Sequence, residues 1–291
     1  MTQLEILGPS ASASSSSAPD SSSDREATAR QLRQEVQRGR VSGALRDRVV
    51  TIFSPVILLV VWEALARSGL LDNRFFPAPS AVVVDLWGML LDGSLLMNTG
   101  ATLARVGAGL FIGCVLGVVL GLVLGLVRTF RLAMIPILAV TMPIPKIALL
   151  PLLMLMLGLG DPSKVALVSI SVFFIMVYNT MAGVVGIPEI YLDVGKTFEA
   201  SRLNFYRTVA IPGSLPYMLT GFKLSVAVAL LVVVPAEWSG VKSGLGYMIN
   251  QAWNTFSILD MYVALIALGV LGYLSGLLLE ELERWLVPWR K

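Results

Sequence analysis

Six stretches of this chain are long enough and apolar enough to cross a membrane, and they leave little freedom for any other fold. They run over about 49–66, 102–127, 132–158, 165–185, 217–235 and 261–279. A bilayer core about 30 Å thick takes roughly 20 apolar residues as a helix. Within it every backbone N–H and C=O must be satisfied inside the chain, so each stretch is expected to be helical. Of the 291 residues 56% are hydrophobic and 14% charged, whereas soluble domains carry about 25% charged residues. The expected fold class is all-α, a polytopic membrane protein of about six transmembrane helices.

Two absences narrow the chemistry. The chain has no histidine, the commonest general base and metal ligand near neutral pH. Its one cysteine, Cys114, lies in an apolar run, so neither a disulfide framework nor a cysteine metal site fits one chain. Catalysis is therefore not expected, nor a resident cofactor or metal. Met142, Met154, Met156 and Met176 alone would suit only Cu(I), and packing is the simpler reading. A net charge of +3 gives no case for nucleic acid.

Residues 1–48 are read as a disordered, Ser/Arg-rich cytoplasmic tail and 49–291 as the transmembrane domain. The first 24 residues are polar, with a serine run at Ser14–Ser17, and lack a signal-peptide pattern. Arg25, Arg30, Arg33, Arg38, Arg40, Arg46 and Arg48 follow. They place this end in the cytoplasm by the positive-inside rule, and six spans return the C-terminus there. Inner segments then carry Arg128, Arg131, Lys196, Arg202, Arg207, Arg284, Arg290 and Lys291, against Arg67, Arg74, Lys164 and Lys242 outside. Val83, Leu86, Trp87, Leu90 and Leu91 mark a helix lying on the outer surface.

Within the spans three features stand out. Gly109, Gly113, Gly117, Gly121 and Gly125 recur every four residues, a face that lets a neighbouring helix approach closely. Pro136, Pro143, Pro145 and Pro151 interrupt the third span around Lys146. Broken helices persist at membrane depth beside protein or a water-filled cavity, which sets Pro143, Pro145 and Lys146 next to a translocation path. Intramembrane charge costs about 2.5–3.5 kcal/mol per residue and needs a partner or a cavity. Arg105 and Lys223 are read as snorkelling to opposite interfaces. Lys146 and Glu237 stay open between lining the path and a structural role.

Between the fourth and fifth spans lies the longest polar island, Gly186–Pro216. Pro188 suits the first turn of a helix, on which Tyr191, Val194 and Phe198 form an apolar stripe. Ser201 is the expected N-cap of a second short helix, with Phe205 and Val209 on one face. Pro212 and Pro216 are expected to break the chain before the next span. Gly195-Lys196-Thr197 is not a phosphate-binding loop, because Ile190 stands where its first glycine belongs.

The island resembles the cytoplasmic "EAA" loop of bacterial ABC importer permeases, Glu-Ala-Ala, three residues, Gly, nine residues, Ile-x-Leu-Pro. Val209-Ala210-Ile211-Pro212 takes the final place, Glu199 the Gly place and Asp193-Val194-Gly195 the Glu-Ala-Ala place, so Glu199-Ala200 is a decoy. Residues 212–223, Pro-Gly-Ser-Leu-Pro-Tyr-Met-Leu-Thr-Gly-Phe-Lys, look like the branch that imports sulfonates, taurine, nitrate and related solutes. The resemblance covers about 59–287 and implies a type I importer permease in a bacterial inner membrane. It implies a coupling loop at 186–212, with Asp193, Val194, Gly195, Glu199, Ala200, Ser201, Ile211 and Pro212 facing an ATPase. Two ATPase subunits that bind the ATP, an extracytoplasmic solute-binding protein and a permease homodimer are the implied partners. An aliphatic sulfonate or taurine is the expected solute, ahead of nitrate- or bicarbonate-like anions and a thiamine-precursor pyrimidine. A secondary carrier is the rival class, with no use for the paired-helix loop.

Overall fold

The computed structural model describes residues 50, 53–188, 190, 191 and 201–287, all-α with no strand among them. Two compact units divide the chain at Ala64. In the first, residues 53–64 are helical (α1). The second, Leu65–Lys291, holds α2 (Pro79–Leu91), α3 (Ser94–Leu126), α4 (Arg128–Thr141), α5 (Leu150–Leu157), α6 (Asp161–Val185), α7 (Ile211–Ala236), α8 (Leu245–Thr255) and α9 (Ile258–Leu286).

Among the described residues four helices have the length and apolarity of membrane spans: α3, α6, the stretch Arg207–Ala236 and α9. The expected third span is α4 followed by Lys146–Leu157, bent by 87°. Its cause is in the sequence. Pro143 and Pro145 remove two backbone donors in the four-residue break, and Pro151 is tolerated because it falls in the first turn of α5. The expected first span meets only α1 and its continuation within the described residues.

The glycine stripe sets the packing of α3 on α6. The helices run parallel, Gly109 opposite Val168, Gly113 opposite Val172, Gly117 opposite Met176, Gly121 opposite Thr180 and Gly125 opposite Val184. A Cβ on Gly117 would lie 2.5 Å from the Cβ of Met176, and one on Gly121 2.6 Å from that of Thr180. In lipid no hydrophobic force presses helices together, so this close backbone approach supplies dispersion contact instead. The residues facing the first three of these glycines, Val168, Val172 and Met176, also join Val106, Ala229 and Val233 in one apolar cluster of α3, α6 and α7. A second cluster ties α2, α8 and α9 through Val82, Leu245, Met248, Ile249, Val263 and Ala264. Only 17% of the most apolar window of α9 is buried, which leaves most of that helix for lipid or another chain.

Two expectations are corrected. Pro212 and Pro216 do not break the chain: Arg207–Ala236 is one span, Pro212 in the first turn of α7 and Pro216 inside it. The π-helical turn Tyr206–Ala210 just ahead adjusts the backbone pairing that proline disturbs. The segment between the fifth and sixth spans also carries an unforeseen helix, α8, begun after Gly244 and ended by Phe256 at φ 55°.

Candidate functional site: the polar-island end and a buried charge cluster

At the island end, Asp193, Val194, Gly195, Glu199 and Ala200 lie outside the described residues. Around them the frame is defined. The Ser201 hydroxyl accepts from the Asn204 N–H at 3.3 Å, an N-cap for the short helix Arg202–Phe205. Ile187 is buried and packs where Gly213 lacks a side chain, since a Cβ there would lie 3.1 Å from it. Ile187, Pro188, Tyr191, Thr208, Val209 and Pro212 line a cavity of about 340 Å³ at this end. Ile211, at the start of α7, is 39% exposed.

The opposite end of the bundle is locked by charge. Glu237 caps α7 with no exposed surface. Its carboxylate accepts from Arg105 Nη1 at 2.6 Å, from the Gly246 N–H at 2.9 Å and from Thr102 Oγ1, 3.0 Å from both oxygens. Arg105, 4% exposed, also donates from Nε to Asp161 Oδ1 at 2.8 Å and from Nη1 to the Ser243 carbonyl at 2.7 Å. Asn98 Oδ1 accepts from the Gly244 N–H and Thr102 Oγ1 from the Leu245 N–H, each at 2.8 Å. Four successive residues, 243–246, are thus pinned by side chains of α3 and by Glu237. Gly246 has to be glycine here, because a Cβ would strike the Val234 carbonyl.

Arg105 therefore does not snorkel: a buried carboxylate from 132 residues away meets it. Lys223 does not either; its ammonium pairs with Glu283 across α7 and α9. One local signal was available for Arg105. Asn98, Thr102 and Arg105 continue the face of Gly109, Gly113 and Gly117, which the stripe itself marks as buried. Lys164, counted among outer-loop charges, is fully buried.

Lys146 sits in the break between α4 and α5. Its ammonium donates to the carbonyls of Thr141 at 2.6 Å, Ile144 at 2.9 Å and Met142 at 3.2 Å, and lies 4.8 Å from the Phe174 ring centroid. All three of its N–H groups are engaged on the carbonyls that the bend leaves open. Pro143 and Pro145 flank it on the exposed side. The four methionines are dispersed: Met176 is in the α3–α6–α7 core, Met154 packs by Leu150, and Met142 and Met156 are exposed. Among the described residues no three His, Cys, Asp or Glu side chains converge to hold a metal ion.

The comparisons with known proteins fit this architecture. Residues 113–291 match the family described as binding-protein-dependent transport system inner membrane component. The chain is 30% identical over 250 residues to the taurine transport system permease protein TauC of Escherichia coli (strain K12), covering 84% of this chain and 90% of that one. It is 28% identical to a putative aliphatic sulfonates transport permease protein, SsuC, of Bacillus subtilis (strain 168), over 81% of this chain and 86% of the relative. It is 30% identical to the formylaminopyrimidine transport permease protein ThiX of Halalkalibacterium halodurans, over 81% and 94%. Among solved structures, an inward-facing MetNI methionine ABC transporter superposes with a TM-score of 0.60 over 67% of this chain and 97% of that one, at 18% identity. The fold is thus that of a type I importer permease, and the chain belongs to the family of binding-protein-dependent transport system inner membrane components, the permeases of ABC importers.

Proposed function

We propose that this permease carries an aliphatic sulfonate or taurine into the cell, driven by ATP that a partner ATPase binds and hydrolyses. The observation that carries the solute class is the likeness to a taurine permease over 84% of the chain. Two copies of the chain form the path, two ATPase subunits dock on the island end, and a solute-binding protein delivers on the other. Both termini lie in the cytoplasm, by the excess of arginine at the island end. Asp193, Val194 and Gly195 begin the docking helix, and Ile211 and Pro212 carry its motion directly into α7. Closure of the ATPase pair then rotates the spans as bodies. Lys146 holds the α4–α5 bend beside the path rather than binding solute. Glu237 and Arg105 keep the delivery end shut as one rigid cluster.

The test is ATP-dependent uptake in proteoliposomes holding permease, ATPase and binding protein. Uptake of taurine or hexanesulfonate supports the reading. Uptake confined to a formylaminopyrimidine replaces the solute, a reading that the ThiX likeness favours, and uptake without ATP replaces the mechanism.

A further inference from the structure

At the bundle end opposite the polar island, a cavity of about 680 Å³ is bounded by Arg67, Arg74, Phe75, Pro77, Ile258 and Leu259, among others. Its lining carries two guanidinium groups and no carboxylate. Hydrogen bonds hold its frame in place. Arg67 Nη2 donates to Ser80 Oγ at 3.3 Å, which fastens residues 65–67 to the start of α2. The Tyr262 hydroxyl of α9 donates to the Phe75 carbonyl at 3.2 Å. Asp72 Oδ1 accepts from the Arg74 N–H at 2.9 Å and so serves the backbone of the 72–76 turn. Among the described residues the Arg74 guanidinium has no hydrogen-bond or ion-pair partner. Asp260, in the first turn of α9, is turned to Asp85 and is not part of the lining.

An exposed apolar row leads away from this cavity. Ser80, Val84, Trp87 and Leu91 fall at i, i+4, i+7 and i+11 of α2 and are all exposed, while Val82 on another face is packed with α8 and α9. With 13 residues α2 is too short to span, and it leads directly into the span α3, which sets it at the depth of the lipid head groups. The arginines and the row together match an amphiphile with an anionic head and an apolar tail. A water-soluble acidic segment would meet the arginines and leave the row bare.

We propose that this cavity holds the head group of an anionic phospholipid, with Arg74 and Arg67 on the phosphate and an acyl chain along Val84, Trp87 and Leu91. Guanidinium forks suit phosphate oxygens, and the first N–H groups of α9, which has no side-chain cap at Ser257, add donors at the same rim. The proposal does not rest on the solute. In the orientation proposed above, the lipid belongs to the outer leaflet.

The test reads the lipid beside α2. The full-length permease with Cys114→Ser and Val84→Cys carries a bimane label in phosphatidylcholine nanodiscs, to which a minor share of acyl-brominated phosphatidylglycerol or acyl-brominated phosphatidylcholine is added. Brominated phosphatidylglycerol is expected to quench the label about fivefold more strongly, the effect of about one cation beside a head group. A label at Leu278→Cys, exposed on α9 far from the cavity, should show no difference. Arg74→Gln is the informative variant, since no described residue depends on that guanidinium; it should remove most of the preference and Arg74→Lys should keep it. Equal quenching by the two lipids beside α2, or a preference unchanged in Arg74→Gln, overturns the proposal. Displacement of the lipid by millimolar inorganic phosphate would make this a free-anion site and overturn it too. Capture of the solute-binding protein that falls in Arg74→Gln, with no lipid preference, would give the arginines to that partner instead.

Discussion

Replacing Glu237 by alanine withdraws at once the acceptor that three donors share in a fully buried place. Arg105 loses its buried partner but keeps Asp161, whose side chain is 64% exposed, and the Ser243 carbonyl. Breaking a buried pair costs about 3–5 kcal/mol, and with those partners left the lower end applies. The orphaned Gly246 N–H adds about 1 kcal/mol. The sum, about 4 kcal/mol, is close to a thousandfold in the opening equilibrium of the 238–246 loop. Lys242, exposed in that loop, offers the assay: trypsin cleavage after it requires the pinned segment to open, and its rate follows the open population. Asp161→Asn removes the exposed member of the same cluster and should raise cleavage only about twofold. The double variant Arg105→Met with Glu237→Met removes the buried pair as a unit, leaving only the largely exposed Asp161 without Arg105, and should restore much of the protection. Equal, small effects from Glu237→Ala and Asp161→Asn would refute the reasoning, since they would show that burial of the pair does not hold the loop.

Three further outcomes are expected. Gly117→Val drives a side chain into Met176 and should destabilise the α3–α6 pair by about 1–3 kcal/mol or more, while Gly107→Val, which meets nothing within 4 Å, should be near neutral in the same SDS titration followed by circular dichroism. Lys146→Met strips the cap from three carbonyls and should cost about 1–3 kcal/mol in that titration, with Lys146→Arg recovering part of it; an unchanged midpoint would remove Lys146 from the bend. Burial and the facing Asp260 push the Asp85 carboxyl of α2 above the usual carboxylate range. A raised folded value favours the protonated form, so the α2–α9 contact is firmest in acid and loosens as pH rises through that value. Thermal unfolding should show this loss between acid and neutral pH in the native protein and not in Asp85→Asn.

Much of the fold was legible because lipid leaves few options. The apolar runs mark the spans, and the four-residue glycine period marks which face of α3 is buried. The prolines were legible only in part. Pro143 and Pro145 bend their span while Pro212 and Pro216 do not, and the difference lies in position relative to a helix's first turn and in the π-helical turn ahead of α7. Charges were the least legible. Arg105 and Glu237, like Lys223 and Glu283, meet across sequence separations that no local pattern reports, so Arg105 and Lys223 read alone as snorkelling and Glu237 stayed open between path and structure. The stripe extended backward to Asn98, Thr102 and Arg105 was the one unread local signal. Lys164 was counted among the outer charges, whereas it sits in the first turn of α6, which begins at Asp161 after the N-cap Gly160. The coupling residues Asp193, Val194, Gly195, Glu199 and Ala200 rest on the sequence pattern alone.

They are also where the account is most exposed to test. The measurement is ATP hydrolysis by the cognate ATPase co-purified with this chain in nanodiscs, with and without Asp193→Arg. The account predicts that the ATPase co-purifies and that its activity falls sharply in the variant, while the permease stays in the membrane. A chain that retains no ATPase, or an Asp193→Arg complex that hydrolyses ATP and transports like the native one, would contradict it.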